Sequence, residues 1–285
     1  MRQAFWINVV LVLGVAVAGA FVYLQPPTDV PVEHALSTLT PAAAKSLRIE
    51  RQGRDAVVLE RKQGTWFLVA PFAARADEFM VQRLLAILSA RTAHRFPAKN
   101  LARYDLERPR ARLLIDGQRF DFGLISELSH EQYVRSGDAV YAVSTRYGLA
   151  LPTRPDQLAS RRLLAPSEVP VRIAPPGFAV TRAEGRWMLD PASRDQSQDE
   201  IRRWVDEWRL ASAVRIEPDQ RSEPVESVRI ALEDGETLLV GILSRKPEVV
   251  LLRADQRLQY HFVAEAGRRL LSPPGTARNE EVKLK

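Results

Sequence analysis

The chain has 285 residues, a formal net charge of +6 and no cysteine. That length suits two domains, and 46% apolar residues supply a core for each. The lack of cysteine excludes disulfide scaffolds, thiolate metal sites, cysteine nucleophiles and a lipid-modified N-terminal cysteine.

Phe5 to Leu24 is an uncharged run of 20 residues in which Asn8 is the one clearly polar side chain. At 1.5 Å per residue it matches the roughly 30 Å hydrocarbon layer of a bilayer. Arg2 precedes it, and Asp29 and Glu33 follow, so the positive-inside rule places the N-terminus in the cytoplasm. Trp6 and Tyr23 fall where interfacial aromatics belong. Ala18-Gly19-Ala20 has the form of a cleavage site. The apolar run continues through Phe21-Val22-Tyr23-Leu24, however, which favours a retained anchor over 1–25. Residues 26–45 carry Pro26, Pro27, Pro31 and Pro41 and are expected to form an extended tether.

From Ser46 the pattern alternates. Ser46 to Arg51, Ala56 to Arg61 and Thr65 to Val69 are expected strands, the last two joined by Gln63-Gly64 and the third ended by Pro71. Asp77 is a suitable N-cap for a helix to Arg91, with Met80, Val81, Leu84, Leu85, Ile87 and Leu88 on its apolar face. Asn100 to Pro109 is an expected loop. Asp116-Gly117 is a two-residue hairpin signal between Ala111 to Ile115 and Gln118 to Leu124. A second hairpin turns at Ser136-Gly137-Asp138, and a shorter helix is expected near Pro155 to Leu164.

The same order then recurs. Trp66 and Trp187 lie 121 residues apart, Leu47-Arg48-Ile49 matches Val171-Arg172-Ile173 at 124, and Ala93 to Phe96 matches Ala213 to Ile216 at 120. Asp116-Gly117, Gly123 to Ser126 and Tyr133 to Arg135 match Asp234-Gly235, Gly241 to Ser244 and Leu251 to Arg253, all at 118. A collinear set of this kind indicates a tandem repeat of roughly 120 residues. Ser197 and Glu200 form a capping-box pattern for a helix burying Ile201, Trp204, Val205 and Trp208. Val249 to Leu252 is an expected central strand. The strand before Asp234-Gly235 is one residue out of phase with its counterpart before Asp116-Gly117.

The charge is uneven. Lys45 to Leu164 holds 21 Lys/Arg against 13 Asp/Glu, whereas residues 165–285 hold 19 against 20. Arg91, Arg95, Lys99, Arg103, Arg108, Arg110 and Arg112 crowd the first repeat. They read as a solvated face, with an acidic partner, lipid headgroups or nucleic acid as the functional alternatives. His34, His94, His130 and His261 form no helical metal pair, and no phosphate loop, dinucleotide fingerprint or nucleophile elbow is present. Asp116 and Asp234 read as turn residues, and Glu127, His130 and Glu131 as a solvated loop. Trp66 and Trp187 occupy one place in each repeat and read as core rather than as stacking platforms.

Gly64, Trp66, Leu68, Pro71, Asp77, Leu84, Leu85, Tyr104, Leu106, Pro109, Gly123, Tyr133 and Val134 together resemble a bacterial family, that of domain of unknown function 4340, best over residues 46–165. The resemblance implies an envelope protein with one N-terminal membrane helix, of a kind often found beside ABC-type transport components. It supplies no catalytic residue. The expected class is thus α+β: an N-terminal transmembrane helix, then two tandem, similar units of mostly antiparallel sheet with helices on one face, at 46–165 and 166–272, then a disordered tail at 273–285. The expected function is a membrane-anchored, extracytoplasmic accessory or scaffold protein. It sits in the bacterial inner membrane through Phe5–Leu24, with its soluble domains periplasmic and a membrane-protein partner such as an ABC-type permease. No catalytic, cofactor-binding or metal-binding residue and no nucleic acid is expected. The alternative is an envelope hydrolase or glycan-binding protein with its site between the repeats.

Overall fold

A computed structural model describes residues 32–192 and 197–276, together with Gly14, Val15, Gly19 and Ala20. The expected anchor Phe5–Leu24, those four residues apart, and residues 277–285 of the expected tail lie outside the described residues. Among the described residues no helix is long and apolar enough to cross a membrane.

The chain is α+β and mostly antiparallel sheet. After a short strand β1 (His34–Ala35), strands β2 (Ser46–Arg51), β3 (Val57–Lys62), β4 (Thr65–Ala70) and β5 (Ala74–Arg75) lead to helix α1 (Glu78–Leu85). Strands β6 (Arg91–Thr92), β7 (Arg95–Pro97), β8 (Ala111–Ile115), β9 (Gln118–Ile125), β10 (Glu131–Ser136) and β11 (Ala139–Ser144) follow, then one helical turn, α2 (Arg146–Leu149). The second half runs β12 (Pro170–Ala174), β13 (Ala179–Ala183), β14 (Arg186–Asp190), α3 (Gln198–Arg209), β15 (Arg215–Pro218), β16 (Glu226–Leu232), β17 (Thr237–Ser244), β18 (Val249–Arg253), β19 (Leu258–Phe262) and α4 (Ala264–Leu271).

The two large sheets have one topology. The first is ordered β5-β4-β3-β2-β8-β9-β10-β11-β7 and the second β14-β13-β12-β16-β17-β18-β19-β15. Apart from the extra edge strand β5, each strand of one has a counterpart at the same place in the other. Trp66 and Trp187 stand second in the matching strands β4 and β14. The matching helix α1 or α3 leaves the same edge of each sheet.

Alternation decides which face is buried. Leu47, Ile49, Leu59, Trp66, Leu68, Leu113, Ile115, Phe120, Phe122 and Val134 line the inner face of the first sheet, against Val81, Leu84 and Leu85 of α1. The second sheet turns Ile173, Val180, Val228, Ile230, Val240, Ile242 and Leu251 inward, against Ile201, Trp204, Val205 and Trp208 of α3. Each such Leu or Ile contributes about 1.5–3 kcal/mol. One continuous set of buried side chains runs through both sheets.

Helix α3 starts as expected: the Ser197 hydroxyl accepts from the Glu200 amide at 3.2 Å, and the Glu200 carboxylate accepts from the Ser197 amide at 3.0 Å. Its indoles then tie down α4. Trp204 Nε1 donates to the Arg269 carbonyl at 3.1 Å and Trp208 Nε1 to the Leu270 carbonyl at 2.9 Å. These are carbonyls of the last turn, which lack helical donors of their own.

Several expectations are corrected. The helix from Asp77 stops at Leu85, continues as a 3-10 turn over Ala86–Ser89, and does not reach Arg91. Arg91 and Thr92 are drawn out as β6 because they pair with Ala35 and His34. That pairing also alters the tether. Leu36 is buried, its amide donates to the Ala90 carbonyl, and its carbonyl accepts from Gln118 and Ser136 side chains. The proline-rich segment is therefore packed from His34 onward. The helix expected near Pro155–Leu164 is a 3-10 turn of Pro155–Leu158. Helix α4 was not expected. Its signal is weakened by Gly267, whose missing side chain lets the helix lie on Val249: a Cβ there would sit 2.3 Å from Val249 Cβ.

The phase difference has a cause. Ile115 pairs with Gln118 across a two-residue turn, whereas the Leu232 amide donates to the Glu236 carbonyl across three residues, Glu233-Asp234-Gly235. The second hairpin is one residue longer. A similar slip corrects the match at β18. With Phe122 set on Val240, the register puts Val134 opposite Phe122 and Arg253 opposite Val240. The buried valine of the first sheet is thus replaced by an arginine in the second.

Candidate functional site

That arginine sits at the joint. Between α2 and β12, the chain leaves the 3-10 turn at Leu158 and runs to Leu164 as a strap between the two sheets. Its Ser160 amide donates to the Arg75 carbonyl and its Leu158 carbonyl accepts from the Asp77 amide, both at 2.7 Å, on the first side. On the second side the Leu163 amide donates to the Ala211 carbonyl and the Arg161 carbonyl accepts from the Ala213 amide, both at 2.9 Å. Leu158, Ala159, Leu163 and Leu164 are buried, so the strap also joins the two apolar cores.

Two arginines clasp it, one from each sheet. Arg75 donates from Nη2 to the Arg162 carbonyl at 2.7 Å. Arg253, 1% exposed, donates from Nη1 to the next carbonyl, Leu163, at 2.8 Å. Its guanidinium also binds Glu168 in a fork, at 3.0 and 2.7 Å, and Asp255 at 2.9 and 2.8 Å. Burial works against the Arg253 charge, but bonds from Asp255 and Glu168 outweigh it and hold the guanidinium firmly protonated. Burial likewise tends to raise the Glu168 and Asp255 carboxyls, and the Arg253 bonds overcome it and hold both below the usual carboxylate range. Burial pushes the neighbouring Tyr260 phenol up; its hydroxyl donates to Gln256 at 2.8 Å. Chemically this is a fixed set of charges. The two carboxylates that meet at the joint both bind one cation, which favours their ionised forms, and the arrangement is that of a clamp.

The remaining polar candidates are dispersed. Asp116 is a turn residue, but it also receives the Lys45 amide, the Ser46 amide at 2.7 Å and the Ser46 hydroxyl, so it caps the entry to β2. Asp234 receives its own turn amide, Glu236, at 2.9 Å, and lies in the other sheet. Glu131 faces His94 at 3.1 Å rather than His130. His94 itself is exposed. His261, 5% exposed, has Nδ1 at 2.8 Å from both Glu248 and Arg215, and Arg215 in turn binds Glu248 and Glu217. The bond to His261, and then the Arg215 charge, hold the Glu248 carboxyl below its ordinary range. Trp66 is 1% exposed, as a core residue should be, whereas Trp187 is half-buried.

Much of the positive charge is internally matched. Glu50, Arg112, Asp121 and Arg135 stand in one row across β2, β8, β9 and β10, on the face away from the helix. Arg112 bridges Glu50 at 3.1 Å and Asp121 at 2.9 Å, and Arg119 and Arg48 complete the set. Arg110 pairs with Asp105, and Arg103 stacks on Tyr104 at 5.0 Å. On the same face the loop after β7 folds Tyr104 and Leu106 against Phe96, Tyr133 and Val140. Gly123 makes room for it: a Cβ there would meet the Tyr104 carbonyl oxygen at 2.1 Å. In the second sheet Gly241 lies the same way under Pro224. Composition points to Arg112 but not to its partners, because Glu50 and Asp121 reach it from the neighbouring strands β2 and β9.

Among curated proteins nothing matches this sequence, and among solved structures nothing matches either. A family profile described as domain of unknown function (DUF4340) matches residues 66–242, more than half of the chain, from within β4 of the first sheet to within β17 of the second. The protein belongs to the DUF4340 family.

Proposed function

We propose that the protein is a membrane-anchored, extracytoplasmic scaffold subunit of a membrane complex, with an ABC-type transport system as the class of partner. The observation that carries this reading is the strap, held by Arg75 from one sheet and Arg253 from the other. Buried clamps of that kind set the relative orientation of two units, which an adaptor needs and a flexible tether would lose. The packing of the segment from His34 onward supports it too. Eight residue steps separate Leu24 from Val32, a reach of at most about 28 Å, so an anchor at Phe5–Leu24 keeps the body close to the bilayer. The hydrolase alternative calls for a carboxylate pair free to share protons, and Glu168 and Asp255 are instead bound to Arg253.

Two measurements test the reading. A phosphatase fused after Lys285 is active in the periplasm, and a cytoplasmic reporter at the same point is silent; the reverse pattern ends the topology claim. Purification from native membranes in mild detergent recovers a stoichiometric permease or ATPase. Repeated recovery of the protein alone removes the scaffold claim.

A further inference from the structure

Beside Pro71, where β4 ends, the turn between β2 and β3 and the segment after α2 enclose an open cleft of about 640 Å³. Sites for small ligands and peptide side chains fall in this range, about 300–1,000 Å³. Its walls are apolar at Val57, Pro71, Pro152 and Pro155. Two cations stand in it. Arg51 donates from Nε to the Pro152 carbonyl at 3.1 Å and from Nη2 to the Leu151 carbonyl at 3.2 Å; Arg54 donates from Nη1 to the Thr153 carbonyl. These bonds fix the two guanidiniums but offer them only neutral acceptors. Burial, and then the nearby Arg54 charge, lower the Arg51 pKa from its ordinary value. Arg154 also lines the cleft but is matched by Asp156 at 2.9 Å, and Asp55 on the rim is exposed.

A half-buried cation beside a second cation, with carbonyls alone for partners, is an incomplete electrostatic arrangement. Among the described residues Nη1 of Arg51 and Nε and Nη2 of Arg54 have no protein acceptor. The turn itself does not need the arginines. The matching turn of the second sheet reads Pro175-Pro176-Gly177-Phe178, with Gly53 and Gly177 both in the left-handed region at φ 68° and 93°. There Phe178 packs on Trp204 at 5.5 Å and no cation is present.

We infer that this cleft binds an acidic peptide segment of a partner protein. Two of its carboxylates lie on the arginines, one on Arg54 in the planar fork of Nε and Nη2 and one on Nη1 of Arg51. The apolar side chain between them covers the proline-lined wall. A bare oxyanion would satisfy the charges but leave that wall empty, which is why a peptide is preferred. The inference deepens the scaffold reading by giving the partner a chemistry, and rests on it only for the source of the peptide.

The test is fluorescence anisotropy with the full-length protein in detergent and a fluorescein-labelled peptide of alternating glutamate and leucine. Saturable binding that weakens with salt is expected. Arg54→Gln lowers affinity about tenfold, and Arg54→Glu abolishes binding. Arg202→Gln, on the exposed face of α3, leaves it unchanged. Arg54 is exposed, so these variants keep the parent melting temperature even where Arg51→Gln, which loses two carbonyl bonds, does not. No binding, or binding indifferent to Arg54→Glu, overturns the proposal. Displacement of the peptide by inorganic phosphate or by phosphatidylglycerol vesicles, as readily as by unlabelled peptide, overturns it in favour of an oxyanion or headgroup site. Because the assay contains no membrane partner, the cleft can fail while co-purification succeeds, and the reverse.

Discussion

Replacing Arg253 with methionine tests the joint most directly. Methionine keeps the length and packing of the side chain and removes the charge. The guanidinium donates five hydrogen bonds, four to carboxylate oxygens and one to the Leu163 carbonyl. The Asp255 side chain is 50% exposed, so water replaces its bonds and that half contributes about 1 kcal/mol at most. Glu168 is only 18% exposed, and leaving it ionised without its cation, with only the Ala165 amide at 2.6 Å still donating to it, costs about 3–5 kcal/mol. For a body of this size that lowers Tm by roughly 10 °C. Circular dichroism of wild type, R253M, E168Q and the double variant gives the coupling directly; the double loses less than the sum of the singles, by about 2 kcal/mol. The pH dependence has a definite sign. In the wild type the Glu168 pKa is depressed by Arg253, so its contribution is present above the unfolded value of about 4.3 and is lost as pH falls through the lower folded value. In R253M the same carboxyl is raised by burial, so the deficit relative to wild type narrows from pH 7 toward pH 5. An R253M variant that melts within about 1 °C of wild type at pH 7 would show that the apolar core alone holds the strap.

The two tryptophans part company in thermal melts: W66A costs about 3–5 kcal/mol because Trp66 is fully buried, while W187A, half-buried on β14, costs roughly half as much. Equal losses would refute the burial argument. Trp66 Nε1 is buried without an acceptor among the described residues, so W66F, which removes that N–H, is milder than W66A by about 2 kcal/mol. Among the glycines, G123A drives a Cβ into a backbone oxygen at 2.1 Å and destabilises more than G241A, which meets the Pro224 side chain at 2.8 Å. Protease cleavage in the loop from Ala98 to Arg110 reports it, and a G123A protein as resistant as wild type would contradict the close approach.

The residue order alone determined the duplication, because side-chain alternation and turn chemistry act over a few residues and appear in both copies. Trp66 and Trp187 at matching strand positions, the hairpin at Asp116-Gly117, the Ser197 capping box and the inward faces of α1 and α3 all belong to that local class. Only tertiary structure decided the rest. Arg91 becomes strand rather than helix because Ala35 pairs with it. Gly267 sits inside a helix because Val249 lies against it. The three-residue turn at Glu233 to Gly235 shifts the phase of a strand that looked misaligned. Arg253 is the clearest case. Read along the chain it only follows the apolar run Val249 to Leu252. Its partners, Leu163 and Glu168, lie about 90 residues away, and a charge is tolerated in a core only where distant groups converge to hold it, a condition that no local pattern records.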